Sequence, residues 1–198
     1  MVAFGSLETD VEILVSLMRE HAETYELMSR TREVLERAIA DPADSDTQER
    51  VLRTLWELDS FVEEDLVIHI AKEEDVLFPA LRGFTGEIDQ VVREMVEQHD
   101  EVRRYQDAVE EALHRLDAAH VEVDASLEAV RDGIAATAGA ARLEANQAED
   151  ILDRVKRLDW MLQGHFGDEE DDLFAPALHL VNAATWDQLA VKARQLDA

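Results

Sequence analysis

Apolar residues recur along this chain at spacings of three and four, in four long stretches that each end in turn-forming residues. In the first, Val11, Leu14, Leu17, Met18, His21, Tyr25 and Met28 share one side, and Thr9-Asp-Val-Glu12 ahead of them has the form of a capping box. A helix is therefore expected over about 9–40, closed by Asp41-Pro42-Ala-Asp-Ser45. Ser45-Asp-Thr-Gln48 offers the next cap, and Val51, Leu55, Leu58, Val62, Leu66, His69, Glu73, Val76 and Leu77 line a second helix over 45–81 that Pro79 and Gly83 end. A third, over 86–119, carries Val92, Met95, His99, Val102, Gln106, Val109 and Leu113. A fourth, over 143–178, carries Ile151, Leu152, Val155, Leu158, Leu162, His165, Glu169 and Leu173. Residues 120–142 are alanine-rich, are weakened by Gly133 and Gly139, and read as an extra helical piece. A short C-terminal helix follows over 183–197, capped by Asn182 or Thr185 and packing Trp186, Leu189 and Val191 against the outside of the bundle. No stretch alternates with period two, so strands are not expected. Short links favour antiparallel neighbours, which gives an all-α, up-down-up-down antiparallel four-helix bundle in one domain spanning 1–198.

One segment occurs twice. His69-Ile-Ala-Lys-Glu73-Glu-Asp-Val-Leu-Phe78 and His165-Phe-Gly-Asp-Glu169-Glu-Asp-Asp-Leu-Phe174 both read HxxxEEDxLF, and both run on to Pro-Ala-Leu. On a helix, residues four apart lie one turn apart on one face, so each His and Glu can converge on one ion. His21 lies twelve residues after the start of its helix, His69 twelve before the end of its own, His99 thirteen after and His165 thirteen before. At 1.5 Å per residue all four stand roughly 20 Å from one end of the bundle, and each falls on an apolar stripe. His21 to His69 spans 48 residues and His99 to His165 spans 66, so the surplus of 18 belongs between the third and fourth helices, away from the histidines.

A single histidine on an apolar stripe is more often a core residue bonded to a backbone carbonyl than a ligand. Four imidazoles and two carboxylates at one level of a core are costly unless they satisfy one another or bind metal. Neutral imidazole with carboxylate suits iron, manganese or zinc. Other candidates fail: His114 lies off its stripe, His120 near the break after it and His179 beyond Pro176. Glu111-Ala-Leu-His114 is the only Glu-x-x-His pair and is far from the ligand level. The acidic run Asp168–Asp172 lacks the central glycine of a calcium loop. Trp56, Trp160 and Trp186 read as packing residues.

Composition narrows the chemistry further. There is no cysteine, which excludes disulfides and thiolate ligands. Nineteen basic against 46 acidic residues give a net charge of −27, which disfavours nucleic acid and anionic membranes as partners and reads mainly as a solvated outer face. With no apolar run long enough to span a bilayer and no signal-peptide pattern, a cytoplasmic location is expected.

The paired HxxxE segments, with His21 and His99 at matching heights, resemble the hemerythrin or HHE cation-binding family, over most of the chain. That resemblance implies two iron ions in an oxo- or hydroxo-bridged centre, with His21 and His69 on one iron, His99 and His165 on the other, and Glu73 and Glu169 bridging. In the family's oxygen carriers the third helix has HxxxH, where this chain has Arg103, and the fourth has an Asp five residues after its His, where this chain has Glu169 four after and Glu170 five after. The nearly symmetric set points away from reversible transport and towards binding or sensing of O₂, peroxide, nitric oxide or iron. An enzyme that decomposes peroxide or reduces nitric oxide is the alternative within that chemistry, and a metal-free acidic helical module binding a basic protein is the alternative outside it. Tyr25 and Arg103, each one turn beyond a histidine, are candidates for an extra ligand or for support behind the ligands; a core aromatic and a surface-reaching arginine are the plainer readings.

Overall fold

The computed structural model of the chain describes residues 9–131 and 143–197, the side chains of 116–131 excepted. Every regular element among the described residues is helical, and none of these helices is long and apolar enough to cross a membrane. Helix α1 spans Glu12–Ala40. A second rod runs without a break through α2 (Ser45–Ser60), a π-helical turn at Phe61–Asp65, α3 (Leu66–Ala71), a π-helical turn at Lys72–Leu77 and α4 (Phe78–Leu81). After a turn at Gly83, whose φ of 85° favours glycine, α5 spans Gly86–Arg131. The fourth rod is α6 (Ala145–Glu169), a π-helical turn at Glu170–Phe174 and α7 (Ala175–Leu180), and α8 spans Ala183–Leu196.

Packing follows the apolar stripes. α1 lies against α2 and α6, and α5 lies against α6 and the second rod, so the four rods close a ring. Their stripes form two separate apolar clusters. One gathers Met28, Leu35, Leu58, Leu66, Val109 and Leu158; the other gathers Leu14, Leu17, Leu77, Val92, Leu173 and Trp186. On each rod the histidine or glutamate of the repeated pattern falls between the residues of the two clusters, so a polar layer separates two dry ones.

The π turns have a chemical cause in the repeated segment. Pro79 and Pro176 each lack the N–H that would bond four residues back, and each ring crowds the carbonyl there, of Asp75 and Asp172. The helix widens just ahead of both prolines, within the carboxylate run. The third π turn exposes the Val62 carbonyl, which accepts a hydrogen bond from the buried Gln106 side chain of α5.

Several sequence expectations are corrected. The Thr9 box does not cap α1: Val11 precedes the helix without a side-chain cap, and the Thr9 hydroxyl accepts from Val11 N–H. Asp44, not Ser45, caps α2, because its carboxylate reaches Asp46 N–H and the Thr47 hydroxyl. The third helix does not stop at residue 119. It continues to Arg131, so the expected extra piece is in its first part the tail of α5, and residues 132–142 lie outside the described ones. The fourth rod extends past 178 to Leu180. Leu143, just before α6, is held by Gln48, whose side-chain oxygen accepts from its N–H at 2.8 Å. Trp186 and Leu189 of α8 pack as expected, in a helix that lies against α1 and the Lys72–Leu77 turn, but Val191, expected to pack with them, is exposed. Trp56 and Trp160 are not packing residues: both rings are more than 70% exposed.

Candidate metal centre

The polar layer brings His21, His69, Glu73, His99, His165 and Glu169 together, all of them buried. Ligand-type atoms of His21, His69, Glu73 and Glu169 lie within 4.8 Å of one another, and so do those of Glu73, His99 and His165. Glu73 therefore reaches both sets, and Glu169 falls in the first.

Each imidazole is held from behind. His21 Nδ1 donates to Glu170 (2.7 Å), His69 Nδ1 to Glu20 (2.9 Å) and His99 Nδ1 to Glu74 (2.8 Å), since an ionised carboxylate can only accept. His165 Nδ1 meets the Gln98 side-chain oxygen at 2.9 Å. The orientation of that amide is fixed by its other end, where Nε2 donates to Asp168 at 3.2 Å. With all four Nδ1 atoms protonated and turned outward, all four Nε2 atoms face the interior, and each offers a lone pair there when its ring is neutral, as it must be to hold a metal.

That interior does not satisfy itself. His99 Nε2 and His165 Nε2 face each other at 3.0 Å, two lone pairs with no proton between them in these tautomers. Glu73 oxygens approach His69 Nε2 and His99 Nε2 at 3.0 Å, and a Glu169 oxygen approaches His21 Nε2 at 3.5 Å, without the alignment of a hydrogen bond. Buried lone pairs converging in this way fit a cation, and the donor set of imidazole and carboxylate fits a borderline transition metal.

Aromatic rings fix the planes. Phe166 stacks on His21 with centroids 3.9 Å apart and reaches His69 and His165 edge-on or tilted; Phe174 stacks on His21 and Phe78 on His99. Tyr25 packs edge-on against Phe166 at 5.5 Å and is placed behind it. Arg103, 40% exposed, pairs with Glu74 at 2.8 Å and with Asp100, so it acts on His99 through Glu74. Sequence reasoning missed Glu20, Glu74, Gln98, Glu170 and Phe166. The first four share a pattern, each either preceding a histidine of the first or third helix or being the second Glu of an EED run, but that pattern does not say which histidine each one faces. His114 and His179 are exposed, as expected; with Asp59 and Glu63, His114 forms a further surface grouping, bonded to Glu63 at 3.2 Å.

Burial and charge split the titrations. Burial pushes His165 down to about 3 and lowers His21. For His69 burial acts the same way, but Glu73 and Glu20 outweigh it and hold the ring up to about 9. Burial would raise Glu73, yet His69 and His99 keep it well below the carboxylate range; burial and the neighbouring Glu73 push Glu169 well above it. Below pH 6.5 the unfolded chain protonates His21 and His165 while the folded one resists, so their contribution fades as pH falls towards 3. Above 6.5 the folded state must give up the proton on His69, so its contribution fades as pH rises through 9. The metal-free protein is thus expected to be most stable near pH 6.5, losing stability on both sides. Thermal melts of chelator-treated protein at pH 5, 6.5 and 9 check this, and a melting temperature still rising at pH 9 would refute it.

Fold and site together define an all-helical protein with a buried histidine–carboxylate cluster of metal-binding character. The family model for the hemerythrin HHE cation binding domain matches residues 12–136, and the chain belongs to that family. The matched segment holds His21, His69, Glu73 and His99; His165 and Glu169 come from α6, beyond it. Among curated proteins none matches the chain.

Proposed function

We propose that the four rods form an up-down-up-down bundle that holds two iron ions and binds or senses O₂ or a related small oxidant such as peroxide or nitric oxide. One observation carries this reading: four Nε2 atoms and two carboxylates converge in a buried layer, with every Nδ1 tied outward, an arrangement that a metal would complete. His21, His69, Glu73 and Glu169 would hold one ion, and Glu73, His99 and His165 the other. Bound iron with two imidazoles per ion would supply open positions for a small diatomic or peroxide. Around it, the chain's own work is positional. Glu20, Glu74, Glu170 and Gln98 keep the imidazoles in one tautomer, Phe166, Phe174 and Phe78 fix ring planes, and the two apolar clusters exclude bulk water.

Protein purified from iron-replete cells is expected to carry about two irons per chain and to absorb in the near ultraviolet, with bands that shift on adding azide or peroxide. Chelation should lower the melting temperature, because a ligand bound only by the native state stabilises it by mass action. Colourless protein that takes up no iron on anaerobic reconstitution would sink the reading. Peroxide turnover by wild type and by His69→Ala distinguishes catalysis from binding.

A further inference from the structure

The repeated halves of the layer correspond position by position, and the correspondence fails in charge. Glu20 precedes His21 and Gln98 precedes His99; Lys72 precedes Glu73 and Asp168 precedes Glu169; Tyr25 and Arg103 stand one turn beyond His21 and His99. In the first half, His69 donates to the carboxylate of Glu20 and His21 to that of Glu170. Glu20 meets Lys72 at 2.8 Å and Arg19 at 3.9 Å, but Lys72 is shared with Asp197 at 2.5 Å and Arg19 with Glu23, so Glu20 remains a carboxylate where the second half has an amide. Among the described residues no Lys or Arg pairs with Glu170. In the second half, His165 donates to a neutral amide, and Glu74, behind His99, pairs at 2.8 Å with Arg103, which also meets Asp100 at 3.3 Å. The inner set is unequal in the same sense, since Glu169 groups with His21 and His69.

We propose that the two metal positions are inequivalent, the half formed by His21, His69, Glu73 and Glu169 taking a divalent ion first and more tightly, so that a one-metal state with the His99–His165 half open is a stable form of the protein. The proposal rests on the metal-binding reading above. A hydrogen bond from a ligating imidazole to a carboxylate makes the ring a stronger donor than one to an amide, and outer partners of this kind are worth about 10- to 100-fold in metal affinity. Two such differences and an extra inner carboxylate favour the same half. Glu20 and Gln98 act as positioning residues that set this order.

The test is anaerobic titration of the metal-free full-length chain with Co(II), followed by calorimetry and visible absorption, together with anomalous diffraction from crystals grown with one equivalent. Two binding steps alone would follow merely from sharing Glu73, so location and variants decide. The first anomalous peak is expected between His21 and His69, with the first step at least about 10-fold tighter. Glu20→Gln should weaken that step about 10- to 100-fold. Gln98→Glu with Asp168→Lys, which gives the second half the first half's outer pair, should tighten the second step, as should the milder Arg103→Gln at a partly exposed side chain. A first ion divided equally between the halves or lodged at His99 and His165, or affinities unmoved in whichever of these variants fold, would overturn the inequivalence while leaving the metal centre intact. Failure of the wild type to bind Co(II) at all would overturn the metal reading itself.

Discussion

Glu73→Gln is expected to empty both halves of the layer, and Glu169→Gln to weaken only one. Glu73 is fully buried and, among the described residues, is the one carboxylate that groups with both histidine pairs, with oxygens 3.0 Å from His69 Nε2 and from His99 Nε2. An amide keeps one neutral oxygen and puts an NH2 group, which cannot ligate a cation, where the other carboxylate oxygen stands, so neither half finds a charged oxygen there. The metal-free protein should suffer too. Its Glu73 is held ionised by His69 and His99, and His69 is held protonated up to about pH 9, so the substitution leaves a buried cation without its anion. Breaking a buried pair in this way costs about 3–5 kcal/mol, which in a chain of this size lowers the melting temperature by on the order of 10 °C. Glu169 differs in kind. Pushed well above the usual carboxylate range, it keeps its proton longer than an ordinary glutamate, so a neutral amide of the same shape should leave metal-free stability within about 2 °C of wild type. Elemental analysis and melts of the two chelated variants check both statements. Two ions retained by Glu73→Gln, or equal destabilisation by both changes, would contradict this account of the layer.

The contrast also shows where the sequence was informative. That these six side chains would meet was legible because independent signals agree: the helical stripe turns all six inward, the repeated HxxxEED segment marks His69, Glu73, His165 and Glu169, and the count to the helix ends puts His21 and His99 at the same height. Their outer partners were not, because those contacts cross between helices. His21 and Glu170 are 149 residues apart, and it is the packing of α1 against the fourth rod that brings them together. The π turns were equally hidden, since a one-residue widening does not alter an apolar pattern read over several turns, although the prolines that provoke it stood in plain view. The end of the third helix was misjudged where the signal is weakest: alanine-rich sequence after Ala119 carries no stripe, yet alanine propensity carries α5 on to Arg131. Trp56 and Trp160 were misplaced for the opposite reason, ring size having been given more weight than their positions off the stripe.

Phe166→Ala is expected to be the most damaging change outside the ligand set. The ring is 1% exposed, lies 3.9 Å from the His21 ring in a stacked arrangement, and touches His69 and His165 as well, so it is the apolar wall against which three imidazoles are set. Removing it should cost about 3–5 kcal/mol through lost burial and the cavity left behind, on the order of 10 °C in melting temperature. The cavity would open beside buried lone pairs, so water could enter where an apolar cavity would stay dry. Phe166→Leu separates the two effects. It refills most of the volume and should recover more than half of the lost stability, but it supplies no flat face for His21. Metal affinity at the His21 and His69 half should then stay below wild type while the melting temperature of the metal-free protein returns towards it. Calorimetric titration with Co(II) beside thermal melts of the chelated variants measures the two separately. If Phe166→Ala melts within about 2 °C of wild type, the ring is not the packing wall the geometry indicates; if Phe166→Leu restores affinity fully, volume alone positions His21 and the stacked plane contributes nothing.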